Sequence, residues 1–181
     1  MKSVLLTGST EREKRNTKIA LVLCLAVAGT AIQARSESQS VHGTITDSVI
    51  PSPNDPNGER VLGIVHGVLS GADTTVVTSV DTSASPVLKA TCLDIFVTSR
   101  GDMLTGTGVV TLTPVPGKPP GEFTENEVLT VTGGSGKYEG ATGTITLEGQ
   151  VHNFFGGPGV ATADLIYQGS VSGPNLKGDG D

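Results

Sequence analysis

The sequence predicts an all-β fold, an eight-stranded antiparallel β-barrel. Three observations carry this. Apolar and polar residues alternate at period two over long stretches, the mark of half-buried strands. Val and Thr abound after residue 34, and β-branched side chains favour a pleated surface. Short turn signals rich in Gly, Pro and Asp punctuate the chain. No stretch after Ala34 shows a capped helical apolar repeat.

Residues 1–34 precede this pattern and read differently. Lys2, Arg12, Lys14, Arg15 and Lys18 lead into the apolar run Ile19 to Gly29. Small residues follow, with Gly29-Thr30-Ala31 and Ile32-Gln33-Ala34 both usable as cleavage sites. That order is a secretory signal peptide, so the mature chain is expected to be exported, to a periplasm or outside the cell. The run is too short to cross a bilayer, which takes about 20 residues; no membrane span is expected. Cys24 lies within the run behind the large Leu23, which does not suit lipoprotein processing. The opening Ser3-Val4-Leu5-Leu6-Thr7-Gly8-Ser9 lacks the further glycines that a dinucleotide-binding turn needs.

The barrel domain is expected over 35–172, in strands at about 40–47, 60–69, 73–81, 87–98, 102–113, 123–132, 141–152 and 160–171. In 87–98, Leu88, Ala90, Cys92, Asp94 and Phe96 share one phase. In 103–113 the even positions Leu104, Val110 and Leu112 are apolar, with Gly106 and Gly108 between. In 123–132, Phe123, Glu125, Glu127, Leu129 and Val131 are in phase. In 143–151 Ile145, Leu147 and Val151 oppose Thr144, Thr146, Glu148 and Gln150. In 160–171 Ala161, Ala163, Leu165, Tyr167 and Val171 form one face. Ser70-Gly71-Ala72-Asp73, Arg100-Gly101-Asp102 and Gly133-Gly134-Ser135-Gly136 are turns. Two longer Pro- and Gly-rich loops fall at 51–58 and 114–121. Connections this short favour antiparallel neighbours, and closing the sheet removes edges that would aggregate. The tail 173–181 has little to bury and is expected to be mobile.

Composition excludes several functions. The chain has 181 residues, 12 Lys+Arg, 18 Asp+Glu and a formal net charge of -6. Losing the leader removes five basic residues but only Glu11 and Glu13, so the mature chain is more acidic still. Nucleic-acid binding needs clustered Lys and Arg and is not expected. The mature chain keeps one cysteine, Cys92, so it has no internal disulfide; the thiol reads as a small buried hydrophobe. His42, His66 and His152 fall on separate strands without short metal-ligand spacing. No serine nucleophile elbow or Cys/His pairing stands out. Gly136-Lys137 is not a phosphate-binding loop, because Val131 and Tyr138 occupy the places of its glycine and hydroxyl residue.

Candidate site residues are few. Asp94 is the best single candidate for an acid inside an apolar lumen. Glu125 and Glu127 enter the barrel if their face points inward; a bulge near Asn126 would turn them outward. Tyr167 either adds a hydroxyl to a ligand site or packs in the core. An acid perturbed by such surroundings could transfer protons.

The stretch Val131-Thr132-Gly133-Gly134-Ser135-Gly136-Lys137-Tyr138-Glu139-Gly140-Ala141-Thr142-Gly143 resembles the late-strand signature of dirigent and allene oxide cyclase-like barrels, with Ser135 in place of Thr. The flanking Phe123-Thr124-Glu125 and Leu129-Thr130-Val131-Thr132-Gly133-Gly134 are similar too. The match is good over 102–171. Read physically, Gly133, Gly134, Gly136, Gly140 and Gly143 shape a tight hairpin and the bend after it, and Tyr138 gives the turn one large side chain to pack. The resemblance implies a barrel that steers reactive intermediates by shape and a few polar groups, without metal or organic cofactor. It also implies a homotrimer, as does any apolar outer face that needs covering. The family's catalytic positions lie mostly in early strands, so no catalytic residue is carried over. Three functions stay open: a module binding a small apolar or phenolic molecule, a cofactor-free cyclase or coupling-control enzyme, and a structural barrel with a filled core. Fold alone does not choose among them.

Overall fold

A computed structural model describes residues 37–50, 60–154 and 160–176. The expected leader, the 51–58 loop and positions 177–181 lie outside the described residues. Eight strands follow one another: β1 (Glu37–Ile50), β2 (Arg60–Gly67), β3 (Gly71–Asp81), β4 (Leu88–Thr98), β5 (Met103–Pro114), β6 (Phe123–Ser135), β7 (Thr142–His152) and β8 (Ala161–Gly173). Each pairs antiparallel with the next, and β1 pairs with β8 from Glu37↔Gly173 to Val49↔Ala161. The sheet is therefore a closed barrel in sequence order. Closure gives both ends of the sheet a partner, which an open meander of this length would lack.

Period-two alternation decides which side chains enter. β8 buries Ala163, Leu165, Tyr167 and Val171 and exposes Asp164, Ile166 and Gln168. β6 turns in Phe123, Glu127, Leu129 and Val131. Because strands alternate direction, the β2–β3, β4–β5 and β6–β7 turns share one end of the barrel with the C-terminus. That end is plugged. The β2–β3 turn folds inward, so β2 stops at Gly67 rather than 69 and Leu69 becomes fully buried. Burying such a side chain contributes roughly 1.5–3 kcal/mol. The Leu69 N–H donates to the Tyr167 hydroxyl at 2.9 Å, and that hydroxyl donates to the His66 carbonyl at 3.1 Å. Phe96 packs on the Tyr167 ring with centroids 6.5 Å apart.

The glycine-rich segment closes the same end. A single 3₁₀ turn, Gly136–Tyr138, follows β6 and buries Tyr138 completely. Gly136 and Gly140 adopt left-handed backbone, with φ of 63° and 68°, which costs glycine nothing. Gly134 backs onto the Met103 carbonyl and Gly143 onto the Ser170 carbonyl, where no side chain fits. The expectation of a free tail from Gly173 needs correction at its start. Gly173 ends β8, and Leu176 is buried against the core. One apolar residue suffices to seat that segment on the plug.

The opposite end carries the longer connections, including 82–87 and 115–122. There His152 Nδ1 meets Glu122 Oε2 at 2.7 Å. The Phe154 N–H donates to the Gly121 carbonyl at 3.0 Å. Both contacts tie the end of β7 to the β5–β6 loop.

Candidate functional site

Midway along the barrel the inward positions become acidic. On β1, β2 and β3 one row reads Asp47, Gly63, Asp73. Both aspartates are buried, and a Cβ at Gly63 would overlap Oδ1 of each. Glycine there is what lets two carboxyls lie over one backbone position. Beside them, β4 supplies Cys92 and Asp94 and β6 supplies Glu125 and Glu127. A Cβ at Gly108 of β5 would overlap the Glu127 carboxyl and crowd the Cys92 sulfur. A second glycine thus makes room for the second acidic cluster.

The hydrogen bonds are too few for so many acceptors. The Thr75 hydroxyl donates to Asp94 Oδ1 at 2.5 Å. The Cys92 sulfur lies 3.2 Å from Asp94 Oδ2 and 3.1 Å from Glu127 Oε1, but one thiol proton serves only one of them. Asp47 Oδ1 and Asp73 Oδ1 are buried and find no partner beyond each other's carboxyl.

Such a layer cannot ionise fully. Burial, then the neighbouring Asp73 and Glu125, push the Asp47 carboxyl up to about 8. Burial and Asp94 push Asp73 up to about 6. A protonated Asp47 donating to Asp73 raises the one and restrains the other. Burial and Asp94 raise Glu125 to about 7 and Glu127 to about 9. Burial also raises Asp94, opposed by hydrogen bonds from Thr75 and Cys92. The Cys92 thiol is pushed far up by burial and by Glu127 and Asp94. It stays protonated and is no nucleophile.

Above the acids lies a cavity of about 90 Å³. Asp47, Asp73, Glu125, Glu127 and Cys92 form its floor. Val49, Val61, Val77, Val110, Leu112 and Val151 form much of its wall, with Val80, Leu88, Lys89 and Phe154 toward the rim. The rim residues belong to the end with the longer loops.

The sequence expectations meet this geometry unevenly. Glu125 and Glu127 do point inward. Pairing runs unbroken through Val110↔Glu127, Thr111↔Asn126 and Leu112↔Glu125. The irregularity in that pair falls instead at Thr105/Gly106, opposite the step from Val131 to Gly133. Asp94 is buried in the lumen as its phase implied, but it lies behind Cys92 and Glu127, off the cavity wall. Tyr167 is not brought to the cavity at all. Its hydroxyl is committed within the plug, because residue 167 lies on the plugged side of the acidic layer. Cys92 is buried but hydrogen-bonded to acids rather than packed as a plain hydrophobe. Asp47, Asp73 and Thr75 escaped the sequence reading. Asp47 shares the odd phase of Val41, Ile45 and Val49 on β1, a signal the sequence does carry; β3 mixes Thr, Val and Ser on both faces, so Asp73 and Thr75 had no inward phase to read.

Cys92, Asp94 and Glu127 place one ligand-type atom each within 4.8 Å of one another. They could hold a divalent metal, which would have to displace the protons the surroundings favour. Among the described residues His42, His66 and His152 join no such group. Among the described residues no helix is long and apolar enough to cross a membrane.

No protein-family model matches the chain, and no curated protein matches it. Among solved structures it is similar to a pterocarpan synthase dirigent protein. The two share 13% identity over 81% of this chain and 94% of that one, with a TM-score of 0.34. A likeness of that size transfers no residue roles. The eight-stranded antiparallel closure seen directly in the strand pairing is the architecture that the 131–143 resemblance implied.

Proposed function

We propose that the barrel binds a small, largely apolar or phenolic molecule through the end that carries the longer loops. The body rests on the Val and Leu wall and a polar end meets the carboxyl floor. The observation that supports this is the cavity itself: a largely apolar Val and Leu lining that also holds four carboxyls. A barrel with a filled core would have no such space. Native mass spectrometry of the protein from its own host tests the reading. A retained small mass is expected. An empty mass that does not shift on adding phenolics or short aliphatic compounds would leave a structural barrel as the better account.

A second reading has its own support. Carboxyls at about 6, 7, 8 and 9 exchange protons near neutrality, which is what general acid–base catalysis requires. On this reading the barrel is a cofactor-free cyclase or coupling-control enzyme. Glu127→Gln would then abolish turnover while leaving binding within a few-fold, whereas a plain binding module shows no turnover to lose.

We also propose export and self-association. Export rests on the order of charges, apolar residues and small residues in 1–34, and the mature N-terminus measured by mass would test it. Self-association rests on an apolar outer face. Ile64, Ala72, Val97 and Met103 lie in register across β2 to β5, with Ile64 61% exposed. A homotrimer that covers this face would dissociate on Ile64→Glu, as read by sedimentation velocity.

A further inference from the structure

We infer that the barrel has a second, outer subsite, a groove between residues 82–87 and 114–122, which takes an aromatic ring whose narrower chain enters the lumen across Leu88. The inference rests on the small-molecule reading above and places the two parts of such a molecule.

Size separates the two spaces. The lumen cavity measures about 90 Å³, whereas a cavity of about 150 Å³ is what holds one benzene ring. An unbranched chain of a few carbons enters where a ring does not. The groove measures about 320 Å³, room for a ring and its substituents. The two spaces meet at Leu88, which lines both. Phe123 lines the groove and Phe154 the lumen, and their rings meet edge to face with centroids 5.7 Å apart. Leu88 and this aromatic pair form a shared apolar wall. A ligand that crosses Leu88 buries apolar surface on both sides of it.

The lining of the groove suits a ring. Pro86, Pro114, Pro119 and Pro120 offer apolar ring faces and no backbone N–H. Phe123 is buried and Leu88 half-buried, while Ser85 and Lys118 are exposed. Glu122 also lines the groove, but its carboxylate is engaged. One oxygen meets His152 Nδ1 at 2.7 Å, and the other accepts from the Asn153 N–H at 3.4 Å. Little in the groove asks a ligand for hydrogen bonds, which favours a ring face over a sugar or a peptide.

The walls are set before a ligand arrives. On one side the Val115 N–H donates to the Glu122 carbonyl at 3.0 Å and the Lys118 N–H to the Val115 carbonyl at 3.2 Å. On the other the Ser85 N–H donates to the Thr82 carbonyl at 3.0 Å and the Val87 N–H to the Ala84 carbonyl at 3.1 Å. Walls held by such turns and by proline spare a ligand the cost of ordering them.

The test is NMR titration of isotopically labelled protein with 4-phenylbutan-1-ol and with its two parts, benzyl alcohol and butan-1-ol. Ring protons of 4-phenylbutan-1-ol are expected to give cross-peaks to the Val115 methyls in the groove, and its chain protons to the Val110 and Leu112 methyls in the lumen. It is expected to bind about 10-fold tighter than either part, the gain from roughly 55 Å² of further apolar burial. Ser85→Trp fills the groove from an exposed position and leaves the lumen lining untouched. It should weaken 4-phenylbutan-1-ol and benzyl alcohol by about 10-fold and leave butan-1-ol within about two-fold. Ring cross-peaks to Val110 and Leu112 in place of Val115, or unchanged affinities in Ser85→Trp, overturn the outer subsite and leave the small-molecule reading standing. Binding of none of the three at millimolar concentration overturns the subsite and removes support from that reading as well.

Discussion

Replacing Glu125 by Gln should stabilise this protein above neutral pH and do little at pH 5. Glu125 sits in the acidic layer, facing the lumen from β6, and its carboxyl is raised from 4.5 to about 7 by burial and by Asp94. The folded state therefore holds the proton more tightly than the unfolded chain. The stabilisation from this group is complete below about 4.5 and is lost as pH rises through about 7. At ~1.4 kcal/mol per pH unit, that displacement is worth about 3 kcal/mol. Gln keeps the shape, cannot ionise and loses nothing over the same range. Urea unfolding at intervals from pH 5 to pH 9 measures the difference. The two proteins should agree within about 1 kcal/mol at pH 5 and separate by about 2–3 kcal/mol at pH 8.5, with the variant the more stable. Asp47, Asp73 and Glu127 are raised in the same sense, so wild-type stability should fall with pH throughout. A wild-type curve that rises between pH 5 and pH 8.5, or two parallel curves, would refute the idea that these acids are buried together with their protons.

Three further outcomes follow from the same geometry. Gly108→Ala drives a methyl group into the Glu127 carboxyl and the Cys92 sulfur and should cost about 1–3 kcal/mol by chemical denaturation; a neutral result would mean that the acidic layer is loosely packed. Tyr167→Phe strips the Leu69 N–H of its acceptor and should cost about 1–3 kcal/mol, yet leave ligand affinity unchanged, because residue 167 lies in the plug. Cys92 should resist iodoacetamide at pH 8 in the folded protein and react once unfolded, since burial and two acids hold it as a thiol; rapid alkylation of the native state would contradict that.

The family resemblance at 131–143 located a hairpin, and the structure shows why those residues repeat its pattern. Gly136 and Gly140 occupy left-handed backbone, and Tyr138 is buried as the plug of one barrel end. These are requirements of the fold, so this signature speaks to architecture and leaves the chemistry to other residues. The amphipathic outer surface is a different matter: Leu62, Ile64 and Val109 remain well exposed where alternation alone would place polar residues.

What the sequence determined by itself was local in origin. Alternation placed the eight strands to within a few residues, and it put Asp94, Glu125 and Glu127 in phase with apolar neighbours. Period two is a property of the single strand, so it is legible without partners. Closure decided the rest. Asp47 and Asp73 lie 26 residues apart in sequence, and only the register of β1, β2 and β3 around Gly63 makes them neighbours. The depth of each inward residue likewise depends on how strands are staggered around the barrel. Stagger sent Tyr167 into the plug, Asp94 behind the floor and Glu125 onto it. The cavity's acids come from β1, β3 and β6, and their meeting is fixed by tertiary pairing rather than by any strand's own pattern.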